Sequence, residues 1–281
     1  MSRSLLFASD LSRENRAAFA RALRLAQEQG ASLNTLHVLD PYLPHRTLHD
    51  LEQAISDDIS ATLTDLSEDY ALALPPLMIQ TVVGEPHAEI VREAHERHAS
   101  LIVLGMHRKR GQKELLQGTT MMRVLRSAPC PVVVAFTPPT QAWQHIVVPI
   151  DFSLTARQTL KEALIRFPEA QITLLHAWSL PGERELGNQA FYAQWRDHEV
   201  SRLRTALDNE VDSLMGELQG VPDTQLILEP GNPCDVLGDY IKRHSPDLVM
   251  LGSRSRPQQP NPLTEMLLSE PHCDVMICRP W

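Results

Sequence analysis

Cysteine is scarce in this chain. Four residues in 281 (Cys130, Cys234, Cys273 and Cys278) are too few and too scattered for a disulfide scaffold. No two of them form the C-x-x-C pair of a structural zinc ribbon. Long apolar runs are also missing, and nothing approaches the roughly 20 residues that a membrane-spanning helix requires. The start, MSRSLLFASD, holds an apolar run of only four residues, too short for the core of a signal peptide. Positive charge is in short supply: 26 Lys and Arg face 35 Asp and Glu, a formal net of −9, which argues against general nucleic-acid binding. Several chemical signatures are absent as well. There is no G-x-x-x-x-G-K-[ST] loop, no G-x-G-x-x-G fingerprint and no G-x-S-x-G elbow. The reading at this point is a soluble, cytoplasmic protein with neither membrane nor nucleic acid as partner. At roughly 100–200 residues per domain, its length predicts two domains.

The chain repeats itself. SLLFASDLSRENRAAFARAL (4–23) matches HIVVPIDFSLTARQTLKEAL (145–164), which sets Asp10 on Asp151 and Ser12 on Ser153. ASLNTLHVLD (31–40) matches AQITLLHAWS (170–179), with His37 on His176. GEPHAEIVREAHERHASLIVLG (84–105) matches GNPCDVLGDYIKRHSPDLVMLG (231–252) without a gap, and SAPCPVVVAF (127–136) matches EPHCDVMICR (270–279). Four blocks in one order predict a duplicated domain. The boundary falls in the Pro-rich TPPTQAW segment (137–143), giving a first domain at 1–138, a linker at 139–143 and a second domain at 144–281.

Within the first repeat, strand and helix signals alternate. LLFAS is apolar without alternation, as a strand buried on both faces reads. Ser12 is placed as the N-cap of an amphipathic helix that ends at Gly30. LNTLHVL, LMIQTVV, LIVLG and PVVVAF read as further strands, with helices over 49–71, 86–99 and 119–128 between them. The expected fold class is α/β: two tandem, doubly wound, open parallel five-stranded sheets, Rossmann-like and related by a pseudo-twofold. Ligands on such sheets bind beyond the C-terminal strand ends. That directs attention to 8–12, 38–42 and 105–120.

The last of these loops, GMHRKRGQKELLQGTT, carries Arg108, Lys109, Arg110 and Lys113 between Gly105 and Gly118. Thr119 and Thr120 then lead into a helix, whose free N–H groups favour an anion. Residues 1–143 hold 14 Lys and Arg against 16 Asp and Glu, a net of −2. Residues 144–281 hold 12 against 19, a net of −7. The loop reads either as a phosphate cradle or as a solvated basic segment, and composition leaves both open. Asp10 and Asp151 read as general bases, as caps that orient the first helix or, for Asp10, as a ligand contact.

Motifs, order and duplication together resemble the universal stress protein family in its tandem form, over nearly the whole chain. The resemblance implies the Usp-like variant of the doubly wound fold. Nucleotide-binding members carry G-x2-G-x9-G-[ST] after the fourth strand. Gly105, Gly118 and Thr119 match that pattern, whereas Arg108 stands at its second glycine. The resemblance implies that Asp10 and Val38 meet the ribose and adenine, and that Gly84-Glu85-Pro86 opens the third helix. Gly105, Gly118, Thr119 and Thr120 would hold phosphates, with Arg108 adding charge or obstructing the cradle. The second repeat lacks both later glycines and has Pro257, Pro260 and Pro262 in this loop, so its nucleotide loop is degenerate.

The function implied is that of a non-catalytic, ATP-binding stress-response regulator with its site in the first domain. The only metal expected is magnesium accompanying the nucleotide. The partners implied are a nucleotide, an unidentified protein and the chain's own second domain through the last strands, with room for a homodimer. Two alternatives stand beside it: an interaction protein that has lost nucleotide binding, and a slow ATPase. The remaining candidates are read structurally. His45/His49 and His95/His98 have helical spacing but no H-E-x-x-H context. Cys130 and Cys273 are expected as small buried hydrophobes. Phe191, Tyr192 and Trp195 are expected to pack two of their rings on one helix face.

Overall fold

The computed structural model describes residues 3–106, 119–181, 187, 189–217, 223–253 and 261–279. It divides into two compact units. The first holds residues 1–142 together with Cys273–Arg279, and the second holds 143–255 with 260–272. The last strand of the second repeat therefore belongs to the first unit.

The first unit contains β1 (Ser4–Ser9), a 3₁₀ turn (Arg13–Asn15), α1 (Arg16–Glu28), β2 (Ser32–Leu39) and α2 (His45–Asp69). It continues with β3 (Leu77–Val83), α3 (Pro86–Glu96), β4 (Leu101–Gly105), α4 (Thr120–Ser127) and β5 (Val132–Ala135). Its sheet runs in the order β3-β2-β1-β4-β5-β10, where β10 is Asp274–Cys278. The first five strands are parallel, and β10 joins β5 antiparallel. Uninterrupted apolar sequence produces this. Leu5, Leu6 and Phe7, Leu101 to Val103, and Val132 to Val134 are all at most 1% exposed, as expected of strands covered on both faces. Phe7 stacks on Phe19 of α1 at 4.3 Å. Cys130 and Cys273 are buried, as small hydrophobes would be.

The second unit contains β6 (His145–Pro149), α5 (Leu154–Arg166), β7 (Gln171–Trp178), α6 (Ala190–Glu217), β8 (Thr224–Pro230), α7 (Pro233–His244), β9 (Leu248–Gly252) and α8 (Pro262–Ser269). Its strands run β9-β6-β7-β8, all parallel. Of the three aromatics at 191–195, only Tyr192 is buried, its hydroxyl reaching the Leu180 and Pro181 carbonyls at 3.4 and 3.5 Å. Trp195 stands edge-on to it, and Phe191 points outward. Two of the three rings thus pack together on one helix face, though only Tyr192 is buried.

One ion pair is fully enclosed in the first unit. Arg21 Nε of α1 donates to Asp274 Oδ2 at 3.0 Å, and its Nη1 donates to the Gln141 carbonyl at 3.1 Å. Asp274 Oδ1 accepts the Phe136 and Thr137 amides at 2.8 and 3.2 Å and the Thr137 hydroxyl at 3.2 Å. Burial pushes the Arg21 guanidinium below its ordinary range, and the facing carboxylate opposes that shift. Taking one partner away from such a pair costs about 3–5 kcal/mol, because the other charge stays buried.

In both units the strand beside the first one ends in glycine for a steric reason. A Cβ at Gly105 would lie 1.9 Å from Asn15 Oδ1, and one at Gly252 would lie 2.4 Å from Thr155 Cγ2 and 3.1 Å from the Thr155 carbonyl oxygen. Gly252→Ala should therefore destabilise the protein by about 1–3 kcal/mol in urea unfolding, as overpacking does. An unchanged midpoint would show that α5 can retreat.

A polar cluster closes the base of β6. His145 Nε2 lies 3.0 Å from Thr173 Oγ1, Tyr240 stacks on His244, and Asp247 Oδ2 accepts the Gln144 and His145 amides. Burial holds the His145 imidazole below its usual pKa, more strongly than Asp247 raises it. The unfolded chain then takes up the proton first as pH falls, so this contribution to stability is present above the ordinary histidine pKa and lost below it. The melting temperature of the wild type should fall more steeply between about pH 7.5 and about pH 5.5 than that of His145→Gln. Parallel curves in calorimetry would refute the assignment.

Candidate functional site

The site expected from the sequence gathers around the turn that follows β1. Asp10 Oδ1 accepts the Ser12 amide at 2.9 Å, the Ser12 hydroxyl at 2.7 Å and Asn15 Nδ2 at 3.0 Å. The turn forces Leu11 to φ +59°. The backbone is thereby reversed within two residues, and α1 starts directly above the sheet. Ser12 differs from its expected role. Its hydroxyl is given to Asp10, it makes no side-chain cap bond, and the chain enters α1 through the 3₁₀ turn instead. In the second repeat the same turn recurs, with Ser153 bonded to Asp151 and Phe152 at φ +59°. There Ser153 Oγ does accept the Ala156 amide at 3.1 Å and caps α5.

His37 Nδ1 lies 2.9 Å from the Ser9 carbonyl oxygen, which ties the end of β2 to the end of β1. The matching His176 makes the same contact with the Ile150 carbonyl. Val38 is the next residue, half-buried, and it lies past the last β1–β2 pair, Ser9 with His37. Gly105 ends β4 against Asn15. Asp10, Asn15 and Gly105 thus form one contiguous group. Thr119 is the N-cap of α4, its Oγ1 accepting the Met122 amide at 3.3 Å, and Thr120 is the exposed first helical residue. Arg108 and Gly118 lie outside the described residues, as do Lys109, Arg110 and Lys113.

Asn15 was not among the residues the sequence singled out. It is 6% exposed, and its Oδ1 has no hydrogen-bond partner among the described residues. Its repeat counterpart is Ala156, so the difference between the repeats was the available signal. A second feature also went unforeseen. A cleft of about 240 Å³ opens between the start of α1 and the middle of α2, lined by Phe7, Ser9, Ser12, Asn15, Phe19 and Ile59 among others. One end of it is the Asp10–Ser12 turn, whereas the α2 side carries no sequence motif.

The corresponding helix of the second unit starts differently. Asn261 caps α8 by accepting the Leu263 amide at 3.1 Å, and Pro262 occupies the first helical position. Proline has no N–H to offer an anion there. Of the spaced histidines, His95 lies in α3, whereas His98 lies beyond its end at φ +49°. The side chain of His45 is outside the described residues. Among the described residues no group of three or more His, Cys, Asp or Glu could hold a metal ion, and no helix is long and apolar enough to cross a membrane.

Comparison with known proteins gives a consistent result. The family model described as "Universal stress protein family" matches twice, at residues 1–135 and 142–279. Universal stress protein YxiE of Bacillus subtilis is 28% identical over 148 residues, which is 48% of this chain and 99% of that protein. Universal stress protein MJ0531 of Methanocaldococcus jannaschii is 29% identical over 138 residues, 46% of this chain and 78% of that protein. The crystal structure of a universal stress protein from Archaeoglobus fulgidus superposes with a TM-score of 0.70 at 16% identity, covering 99% of both chains. With the alternating architecture, the repeated Asp–Ser turn and a family match to each repeat, this chain belongs to the universal stress protein family, as a tandem member.

Proposed function

We propose that the protein is a non-catalytic nucleotide-binding regulator whose single site lies at the C-terminal ends of β1, β2 and β4 in the first unit. ATP is the nucleotide, with magnesium only as the ion that accompanies its phosphates. Asp10 and Val38 hold the ribose and base. Gly105, Gly118, Thr119 and Thr120 hold the phosphates through backbone and hydroxyl donors, and Arg108 adds positive charge. Nucleotide occupancy alters a surface read by a protein partner in the cytoplasm under stress.

The observation that carries this reading is the difference between two helix starts. In the first unit, α4 offers Thr119, Thr120 and the N-terminal amides behind a glycine that closes β4. In the second unit, α8 offers Asn261 and Pro262. Helix N-termini attract phosphate through their unsatisfied N–H groups, and a proline removes one of them. The buried Asn15 Oδ1, without a donor among the described residues, fits a ligand hydroxyl beside Gly105. The Asp10 carboxylate is already engaged by Ser12 and Asn15. That suits holding a turn and orienting a ligand better than abstracting a proton.

A second reading, loss of nucleotide binding altogether, is favoured by Arg108 at a glycine position of the family pattern. Calorimetric titration with ATP separates the two. Each charge-assisted hydrogen bond is worth about 1.5–3 kcal/mol, so Asp10→Ala should weaken binding by about tenfold or more. Asp151→Ala should leave it unchanged. Equal losses from both variants would refute the assignment to one unit, and no heat with the wild type would favour the second reading. Arg108→Gly should bind more weakly if the guanidinium contacts phosphate. Tighter binding would show that Arg108 obstructs the cradle.

A further inference from the structure

Strands β5 and β10 occupy equivalent positions in the two repeats, yet they meet in one unit. Their register is Val132 with Ile277, Val133 with Met276 and Val134 with Val275. By the repeat, Val132 corresponds to Val275, Val133 to Met276 and Val134 to Ile277. The pairing is therefore symmetric about Val133 and Met276. A second β5 strand, from another copy of the chain, would offer the same backbone groups in the same register, with valines in place of Val275, Met276 and Ile277. Neither the antiparallel ladder nor the apolar side chains distinguish the chain's own β10 from such a β5.

What distinguishes them is charge. Asp274, at the head of β10, is fully buried and bonded to Arg21 and to the amides of Phe136 and Thr137. The residue at that position of β5 is Pro131, which has neither a carboxylate nor an N–H. Arg21 is replaced in the second repeat by Glu162, which pairs with Arg166 of its own helix. Arg279 adds a further asymmetric contact, its Nη1 donating to the Ala128 carbonyl at 3.2 Å, where the first repeat has Phe136.

We infer that the Arg21–Asp274 pair selects the strand that completes the first unit: it admits a β10 strand and excludes the β5 strand of a second copy. A second β5 would bury the Arg21 guanidinium opposite Pro131, without a carboxylate. Two β10 strands would require an arginine where the second repeat has Glu162. The acid and the base sit on different repeats, so only the mixed pair is neutralised. This selection is independent of nucleotide binding.

The test uses the full-length protein in three forms: wild type, the apolar exchange Arg21→Met with Asp274→Leu, and the single variant Asp274→Asn. Sedimentation velocity over a concentration series reads self-association, and hydrogen exchange reads protection of the Val275, Met276 and Ile277 amides. The apolar exchange keeps both strands' ladders but removes the selector. It should fold cooperatively, self-associate at least about tenfold more tightly than the wild type and lose about tenfold in β10 protection. Asp274→Asn keeps an acceptor for the Phe136 and Thr137 amides and removes only the charge, so it should lose β10 protection as well. Wild-type association and wild-type β10 protection in the apolar exchange would overturn the inference, because selection would then reside elsewhere. Failure of the apolar exchange to fold would overturn it too, since the pair would then be a requirement of folding itself.

Discussion

Everything at the C-terminal end of the first strand depends on one carboxylate accepting hydrogen bonds from residues two and five positions further on. Asp10 holds the Ser12 amide and hydroxyl and the Asn15 amide group. That local closure lets α1 begin at once and lie across β4. The close crossing then demands glycine at 105, where any side chain would collide with Asn15. In the proposed site the phosphate loop starts at this same glycine. A turn only a few residues long thus sets the position of a helix, the composition of a neighbouring strand end and the entry to the candidate site.

The two repeats share this turn and diverge in what surrounds it. Asn15 becomes Ala156 and Thr120 gives way to Pro262, so the second unit keeps the launch of the helix without the donors and acceptors beside it. The last strands diverge as well, through Pro131 and Asp274. Duplication supplied two equivalent scaffolds, and a few polar substitutions made them chemically unequal. The apolar framework is much less altered, because each buried strand tolerates exchange among Val, Ile, Leu and Met at nearly constant volume.

The fold was largely legible in the sequence. Strands such as LLFAS and LIVLG read as apolar runs and occur there, at Ser4–Ser9 and Leu101–Gly105. Doubly buried strands leave that signature, and it does not depend on tertiary context. Helix starts were less legible. Ser12 sits at the N-cap position but makes no side-chain cap bond, whereas Ser153 both donates to Asp151 and caps α5, and a spacing rule cannot register that difference. The site was legible only in part. Asp10, Val38 and Gly105 fall at strand ends, where topology alone marks them. Asn15 carries no motif, since its role comes from the helix crossing and not from local sequence. The Arg21–Asp274 pair spans most of the chain, and single-residue patterns do not register contacts at that separation.

The left-handed residues after the two aspartates have a historical meaning. Leu11 and Phe152 both sit at φ +59°, a conformation that costs a non-glycine residue about 1 kcal/mol or more. Neither repeat has replaced its residue with glycine, which would relieve the strain. The same angle at the same place in both repeats is most simply inherited from a single ancestral domain, already bent this way before it was copied. After Gly252 the second repeat has prolines at 257, 260 and 262 and none of the later glycines of the first repeat, yet the bend persists. What the two repeats share there is the path of the chain into its first helix, so the geometry of the turn holds even where the loop beside it differs.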